Sequence, residues 1–364
     1  MDVRDPKEIG AAARQFSVSG EFGDAARYGS GHINESYRAI FRNGSREEHF
    51  LLQRINTHVF PNVAGLMENI ERVTEHVGRS IEDRADRERR ALRLIRTQDG
   101  RVWHRDEVGG CWRMYQFVRN ARALDTIESA EQAYQVGKAF GEFQHRLATV
   151  PAPRLHDTIP DFHHTAKRFA ALEEAIARDV AGRAQSVQAE IGFARARKPM
   201  TTMLLDAGLP ERITHNDTKC NNVLLDAATN EAICVIDLDT VMPGLAPYDF
   251  GDMVRTMTSP AAEDERDLSR VYVRLPIFEA IVRGYLSAAE SFLTRAEKEC
   301  LPLGGKLITF EIGIRFLTDY LSGDTYFRIH RPEHNLDRCR TQFKLVESIE
   351  LNEDVLSRMV EGLE

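Results

Sequence analysis

The stretch Ile213–Asp226, ITHNDTKCNNVLLD, sets one histidine, two aspartates, one lysine and three asparagines between apolar flanks, with no glycine or proline. Its continuation, EAICVIDLDTVMPG, carries a second apolar segment that ends on Asp237 and Asp239. Asn221 and Asn222 precede a short strand, Val223 to Leu225. A turn over Ala227 to Glu231 leads to a second strand, Ile233 to Leu238. A hairpin of these strands returns Asp237 to the neighbourhood of Asn222 and Asp217. Three oxygen-bearing side chains then meet at the mouth of two strands. Such a donor set suits a hard divalent cation such as Mg2+, which takes few carboxylates and shares its other positions with phosphates and water.

The order His-x-Asp-x-x-x-x-Asn, followed 15 residues later by an aspartate, fits a phosphoryl-transfer loop. In that chemistry Asp217 receives the acceptor hydroxyl's proton, while Asn222 and Asp237 hold the metal on the triphosphate. Lys219 stands two residues beyond Asp217, where an ammonium can meet the transferring phosphoryl group. A hydrogen-bonded polar turn is the plainer alternative, since Asn and Asp are common in turns. The full spacing with the downstream aspartate favours the chemistry.

The elements that must position this loop fall into two groups. Strand and turn signals dominate the first third: ARYGSGHINESYRAIF reads as strand, glycine turn, strand, and EEHFLLQRIN as another strand. ALRLIRTQDGRVWHRD reads as a hairpin turning at Asp99-Gly100, and CWRMYQFV as a further strand. One helix interrupts them, with Val63, Leu66, Met67, Ile70 and Val73 at helical spacing. This predicts about five strands and one helix. Beyond Arg119 the chain turns helical, except for the short hairpin around the polar loop. An α+β fold is expected, with a small sheet lobe over residues 1–118, a larger helical lobe over 119–364, and a connector near Phe117 to Asn120. A chain of 364 residues is long enough for two such lobes.

Composition narrows the function classes. Apolar content of 42% and charged content of 29% describe a globular chain. A net charge of −8 argues against nucleic-acid binding, which would require a basic face. Five scattered cysteines without a CxxC pair predict reduced, mostly buried thiols. No signal-peptide core and no apolar run of membrane-spanning length is present, so a cytoplasmic protein without a membrane partner is expected. Oligomeric state is left open.

THNDTKCNNVLLD, VIDLDTVMPG and YDFGD together resemble the aminoglycoside phosphotransferase/choline kinase-like family, relatives of the protein kinases. Including YGSGHIN, LLQRIN, GIRFLTDYLSGDTYF and PEHNLDRCRTQ, nearly the whole chain is similar to bacterial N-acetylhexosamine 1-kinases. The resemblance implies a bilobal kinase-like fold, ATP and Mg2+, and phosphorylation of GlcNAc or GalNAc at the anomeric hydroxyl. It implies that Asp217 is the base and that Asn222 and Asp237 are the metal ligands. It also implies that Gly29, Gly31 and Asn34 belong to the loop over the phosphates, and that Phe117 and Val118 line the adenine. One departure stands out: the lysine of the third strand is missing. Gln53 takes its aligned place, with Arg54 on the opposite face, and this puts in doubt the role of Glu71, the lysine's candidate partner.

For the sugar, the resemblance points to His32, Asp217, Thr240, Arg315 and Tyr326. Each has a plainer alternative: a loop-surface histidine, a structural ion pair for Arg315, a core tyrosine for Tyr326. Asp249 and Asp252 are read as braces of the hairpin or caps of the next helix. His163-His164 is read as helix surface rather than metal site, and DRADRERRALR as a solvated charged face. The rival readings are another small-molecule kinase of the same fold (for an aminoglycoside, choline, an amino alcohol or a different sugar), a metal-dependent hydrolase, and an inactive nucleotide-binding module.

Overall fold

A computed structural model describes residues 5–29 and 33–362. Gly31 and His32 lie outside the described residues. Helix α1 (Pro6–Ala13) precedes five strands: β1 (Glu21–Arg27), β2 (Glu35–Asn43), β3 (Arg46–Ile55), β4 (His104–Arg105) and β5 (Cys111–Gln116). They form one antiparallel sheet in the order β1-β2-β3-β5-β4. Helices α2 (Val63–Arg79) and α3 (Arg84–Arg90) lie between β3 and β4 in the chain.

Alternation assigns the faces of the sheet. Trp112 and Met114 of β5 pack with Phe50, Leu52 and α1 in one cluster. Cys111 and Tyr115 face the other way and join Ile55 and the apolar stripe of α2 in a second cluster. That second cluster continues into the helical part of the chain, so α2 is the packing link between the sheet and the helices beyond residue 119.

The remainder is mainly helical. It begins with β6 (Ala121–Ala123), α4 (Ala130–Leu147), α5 (Thr165–Arg178), α6 (Gln188–Ala196) and α7 (Met203–Asp206). Four strands and the polar loop come next: β7 (Arg212–Thr214), β8 (Val223–Asp226), β9 (Ala232–Val235) and then β10 (Met242–Gly244). The chain closes with α8 (Ala246–Met257), α9 (Leu275–Ala289), α10 (Arg295–Glu299), α11 (Leu301–Leu321), α12 (His334–Leu351) and α13 (Glu353–Glu361). Helices α4 and α9 approach closely at Gly137, Gly141 and Gly284, where a Cβ would come within 2.7 Å of a backbone oxygen of the facing helix. Strand β7 pairs with β10, and β8 lies between β6 and β9.

The expected α+β class, a small antiparallel sheet followed by a larger helical part, is what the chain forms. Several local expectations are corrected. The first region holds three helices rather than one. Residues 91–102 form no regular hairpin: the turn exists, with Gly100 at φ +86°, but it is flanked only by isolated bridges and by the short β4. Tertiary pairing of Leu94 with Tyr115 and of Thr97 with Phe16 takes the backbone groups that a hairpin would have used. The second strand of the central hairpin ends at Val235, not Leu238, because Asp237 adopts a left-handed conformation. The charged stretch 83–93 includes α3, whose Arg89 is not merely solvated; it pairs with Asp226 at 2.7 Å. All five cysteines are free and four are buried. No helix among the described residues is long and apolar enough to cross a membrane.

Candidate active site

The short ladder β7–β10 delivers the chain to His215 and Asn216, and Asn216 turns it with a φ of +63°, a conformation that asparagine tolerates better than most residues. Asp249 in the first turn of α8 holds this turn from beneath. Its carboxylate accepts the backbone N–H groups of His215 (2.8 Å) and Asn216 (2.6 Å) and the amide of Gln144 (2.7 Å). Burial pushes the Asp249 carboxyl upward, and these donors together with the nearby His215 oppose that shift. Asp249 is therefore the brace expected of it. Asp252 pairs with Arg255 at 2.8 Å.

On this support Asp217 stands half-buried. Lys219 Nζ meets its Oδ1 at 2.7 Å, and Asn222 Nδ2 donates to both its backbone oxygen (2.8 Å) and its Oδ2 (3.0 Å). Burial alone would raise the Asp217 carboxyl; the Lys219 ammonium overrides it and holds the carboxyl below its usual range. Asp217 is thus an ionised acceptor. Lys219 is shifted upward by Asp217 and Asp252 against the effect of burial, so it stays an ammonium. The Asn222 amide nitrogen is engaged by Asp217, which turns its carbonyl oxygen away from that carboxylate.

Pairing of β8 with β9 brings Asp237 alongside: Val223 sits opposite Val235, and Ile236 N donates to Asn222 O at 2.9 Å. The Asp237 side chain is open to solvent on one side, with protein crowded around the rest. That crowding, with the charges of Asp239 and Asp217, pushes its carboxyl up to about 6. A carboxylate held at such cost, next to an asparagine oxygen and a second carboxylate, is the donor chemistry of a hard divalent cation. Asn222 and Asp237 therefore fit Mg2+.

The remaining residues of interest are spread over the sheet, its exit and the loop. Gly29 has φ +79°, which glycine alone adopts freely. Asn34 donates to Asp239 Oδ2 and accepts from Asn56 N at 2.9 Å. Gln53 bridges Ser36 (2.9 Å) and Arg113 (3.0 Å), while Arg54, on the other face, lies 3.7 Å from Glu35. Glu71 pairs with Arg96 at 2.6 Å and has no partner on β3. Phe117 follows β5 with its N–H on His49 O (3.2 Å) and its ring edge-on to Tyr28; Val118 is half-buried beside it. Thr240 is buried, and its hydroxyl donates to His215 O at 2.7 Å.

Arg315 makes no carboxylate ion pair among the described residues. Its guanidinium lies 5.6, 5.9 and 5.5 Å from the ring centres of Phe162, Tyr326 and Phe327. Tyr326 is 67% exposed and so is not a core residue. His163 is not on a helix surface: it is buried, meets Glu311 at 2.8 Å and donates toward Asn216 O at 3.1 Å. Asp249 braces the loop, while Arg113 grips Asp239 in the turn that follows Asp237. Asp239 was visible in IDLD, but Arg113 had no local signal, because its partner lies 126 residues away.

A family model for phosphotransferase enzymes matches residues 24–276, well over half of the chain. Three solved structures share the fold over nearly the whole length. An aminoglycoside phosphotransferase from Alicyclobacillus acidocaldarius is 12% identical, with a TM-score of 0.65, covering 100% of this chain and 98% of its own. A microcompartment-associated aminopropanol kinase is 16% identical, with a TM-score of 0.59, covering 97% and 99%. A spectinomycin phosphotransferase, solved with ADP and spectinomycin, is 12% identical, with a TM-score of 0.58, covering 97% and 99%.

Proposed function

Because the chain belongs to the phosphotransferase enzyme family, we propose that it is an ATP-dependent N-acetylhexosamine 1-kinase acting on GlcNAc or GalNAc. The observation that carries the phosphoryl-transfer part is the group Asp217, Lys219, Asn222 and Asp237 gathered at one end of two paired strands, β8 and β9. The anomeric hydroxyl gives its proton to Asp217 as its oxygen bonds to the γ-phosphorus of ATP; the bond from that phosphorus to the β,γ-bridging oxygen breaks, and ADP leaves. Lys219 moves its charge from Asp217 toward the transferring phosphoryl oxygens. Bound by Asn222 and Asp237, Mg2+ would neutralise triphosphate charge. Residues 1–118, with Gly29, Gly31, Asn34, Gln53, Phe117 and Val118, would form the nucleotide side. Residues 119–364 would form the acceptor side, with Arg315 and Tyr326 reaching the sugar, to which the family resemblance adds His32; Thr240 acts through the backbone of His215.

Charge supports a sugar over a cationic acceptor. Arg315 has no carboxylate partner among the described residues, and Arg168 nearby is held below its ordinary pKa by burial and by Arg315 itself. The adjacent carboxylate, Glu311, is occupied by His163 and Thr165. Two guanidiniums, one of them bordered by aromatic rings, repel an ammonium. They favour neutral, carbonyl-bearing or hydroxyl-rich groups, and the rings offer an acetamido methyl an apolar wall. Phosphorus NMR of the protein with MgATP and GlcNAc, GalNAc, glucose, choline or kanamycin tests this. A sugar 1-phosphate signal from GlcNAc or GalNAc is expected; transfer to choline or kanamycin alone would overturn the acceptor assignment, and free phosphate alone would indicate hydrolysis.

A further inference from the structure

The missing lysine leaves β3 without a cation at Gln53, yet a cation stands directly beside it. Antiparallel register aligns Ser36, Gln53 and Arg113 in one row across β2, β3 and β5. Hydrogen bonds run along that row, from Gln53 to Ser36 and from Arg113 Nε to Gln53 Oε1. Both terminal nitrogens of Arg113 then grip Asp239, one of them at 3.0 Å. Asn34, just before β2, donates to the same carboxylate. Arg113 is 1% exposed and Asp239 3% exposed, so the pair is shielded from both water and ligand.

All three kinds of guanidinium nitrogen are therefore engaged, and Arg113 cannot reach a phosphate while this row is intact. Its charge acts instead on the short turn Leu238–Thr240 that follows Asp237. That turn has two anchors. Asp239 is held from the sheet, and Thr240 is held from the loop through His215 O and Asn216 Nδ2. Asp237, left-handed, directly precedes these two anchors, so the turn that follows it is fixed from both sides. Arg113 also removes Asp239 from competition for a cation, which leaves Asp237 as the open carboxylate.

We propose that Arg113 is a positioning residue for metal-nucleotide binding: the Ser36–Gln53–Arg113–Asp239 row ties the nucleotide-side sheet to the Asp237 turn and does the work that a third-strand lysine does elsewhere by direct contact. The proposal rests on the phosphoryl-transfer reading but not on the identity of the acceptor. Its test is the Mg2+ dependence of binding of a fluorescent, non-hydrolysable ATP analogue, with circular dichroism and melting as controls for folding. The pair variant Arg113→Met/Asp239→Leu removes both charges together, so neither is left buried alone. The Mg2+ midpoint is expected to rise about 10- to 100-fold, the usual effect of losing a group that orients a metal ligand. A folded pair variant whose midpoint stays within about twofold of the parent overturns the proposal, since a merely structural pair would leave it unmoved. Should the pair variant not fold, Gln53→Leu decides: it breaks the half-buried middle of the row, and a rise in midpoint of roughly threefold or more supports the coupling, while no rise overturns it. If the parent itself binds no metal-nucleotide, it is the phosphoryl-transfer reading that has failed.

Discussion

Two arginines mark two regions of the molecule, and they are used in opposite ways. Arg113, on the sheet, is buried with its donors committed to Gln53 and Asp239. Arg315, on α11, is half-buried against three rings and meets no carboxylate among the described residues. A charge that is fully partnered inside the protein fixes geometry, because moving it would strand an unpaired ion in a poorly solvating interior. A charge left without a partner at the edge of a site keeps its hydrogen-bonding capacity for something that arrives. Under the proposed function, the surroundings of Arg315 suit recognition and those of Arg113 suit alignment.

The largest effect lies between these regions. Asp217→Asn is expected to lower turnover about a thousandfold while leaving MgATP binding nearly unchanged in calorimetry; undiminished turnover would remove Asp217 as the base. Next, the contrast predicts unequal stability effects. Arg113→Met alone strands Asp239 and should cost about 3–5 kcal/mol in urea unfolding, whereas Arg315→Ala should leave the unfolding midpoint nearly unchanged. Equal losses would erase the distinction between the two arginines. In the acceptor titration the order reverses: Arg315→Ala should raise KM for the acceptor by roughly 10- to 100-fold, the worth of a lost hydrogen bond to a charged group, with little change in KM for ATP.

A smaller effect concerns the link between the acceptor side and the loop. Burial would lower the His163 pKa, but Glu311 overrides it and raises it; Glu311 is itself lowered by His163 despite burial. A raised histidine adds stability below its unfolded value near 6.5 and loses it as pH rises through the folded value. A lowered glutamate adds stability above its unfolded value near 4.3 and loses it as pH falls through the folded value. The advantage of the parent over His163→Gln/Glu311→Gln should therefore be greatest between about pH 4.3 and 6.5 and shrink on both sides, as urea titrations from acid to alkaline pH would reveal. Smallest of all, Glu71→Ala should change stability by no more than about 1 kcal/mol and leave the Mg2+ midpoint unchanged, since its partner is the exposed Arg96. A large catalytic loss would restore Glu71 to the role that the family pattern assigns it.

The loop itself was legible in the chain. Its chemistry depends on residue types at short spacing, and the hairpin that gathers Asp217, Asn222 and Asp237 is closed by local strand signals. The sheet and α2 were legible for the same reason, through period-two and helical alternation. Where reading failed, non-local contacts had intervened. Residues 91–102 gave up a hairpin to pair with Phe16 and Tyr115, and His163 left the surface because Glu311, far along the chain, needed a partner.

Local order along the chain thus determined the kind of chemistry, the class of fold and the absence of a lysine on β3. The replacement for that lysine was decided only in three dimensions. Arg113 in CWRMYQ looks like any strand residue, and Asp239 like a second copy of Asp237. Strand register and the closure of the sheet against the helical part bring them together across 126 positions. Their meaning comes from burial, which makes an ion pair obligatory where water would have made it optional.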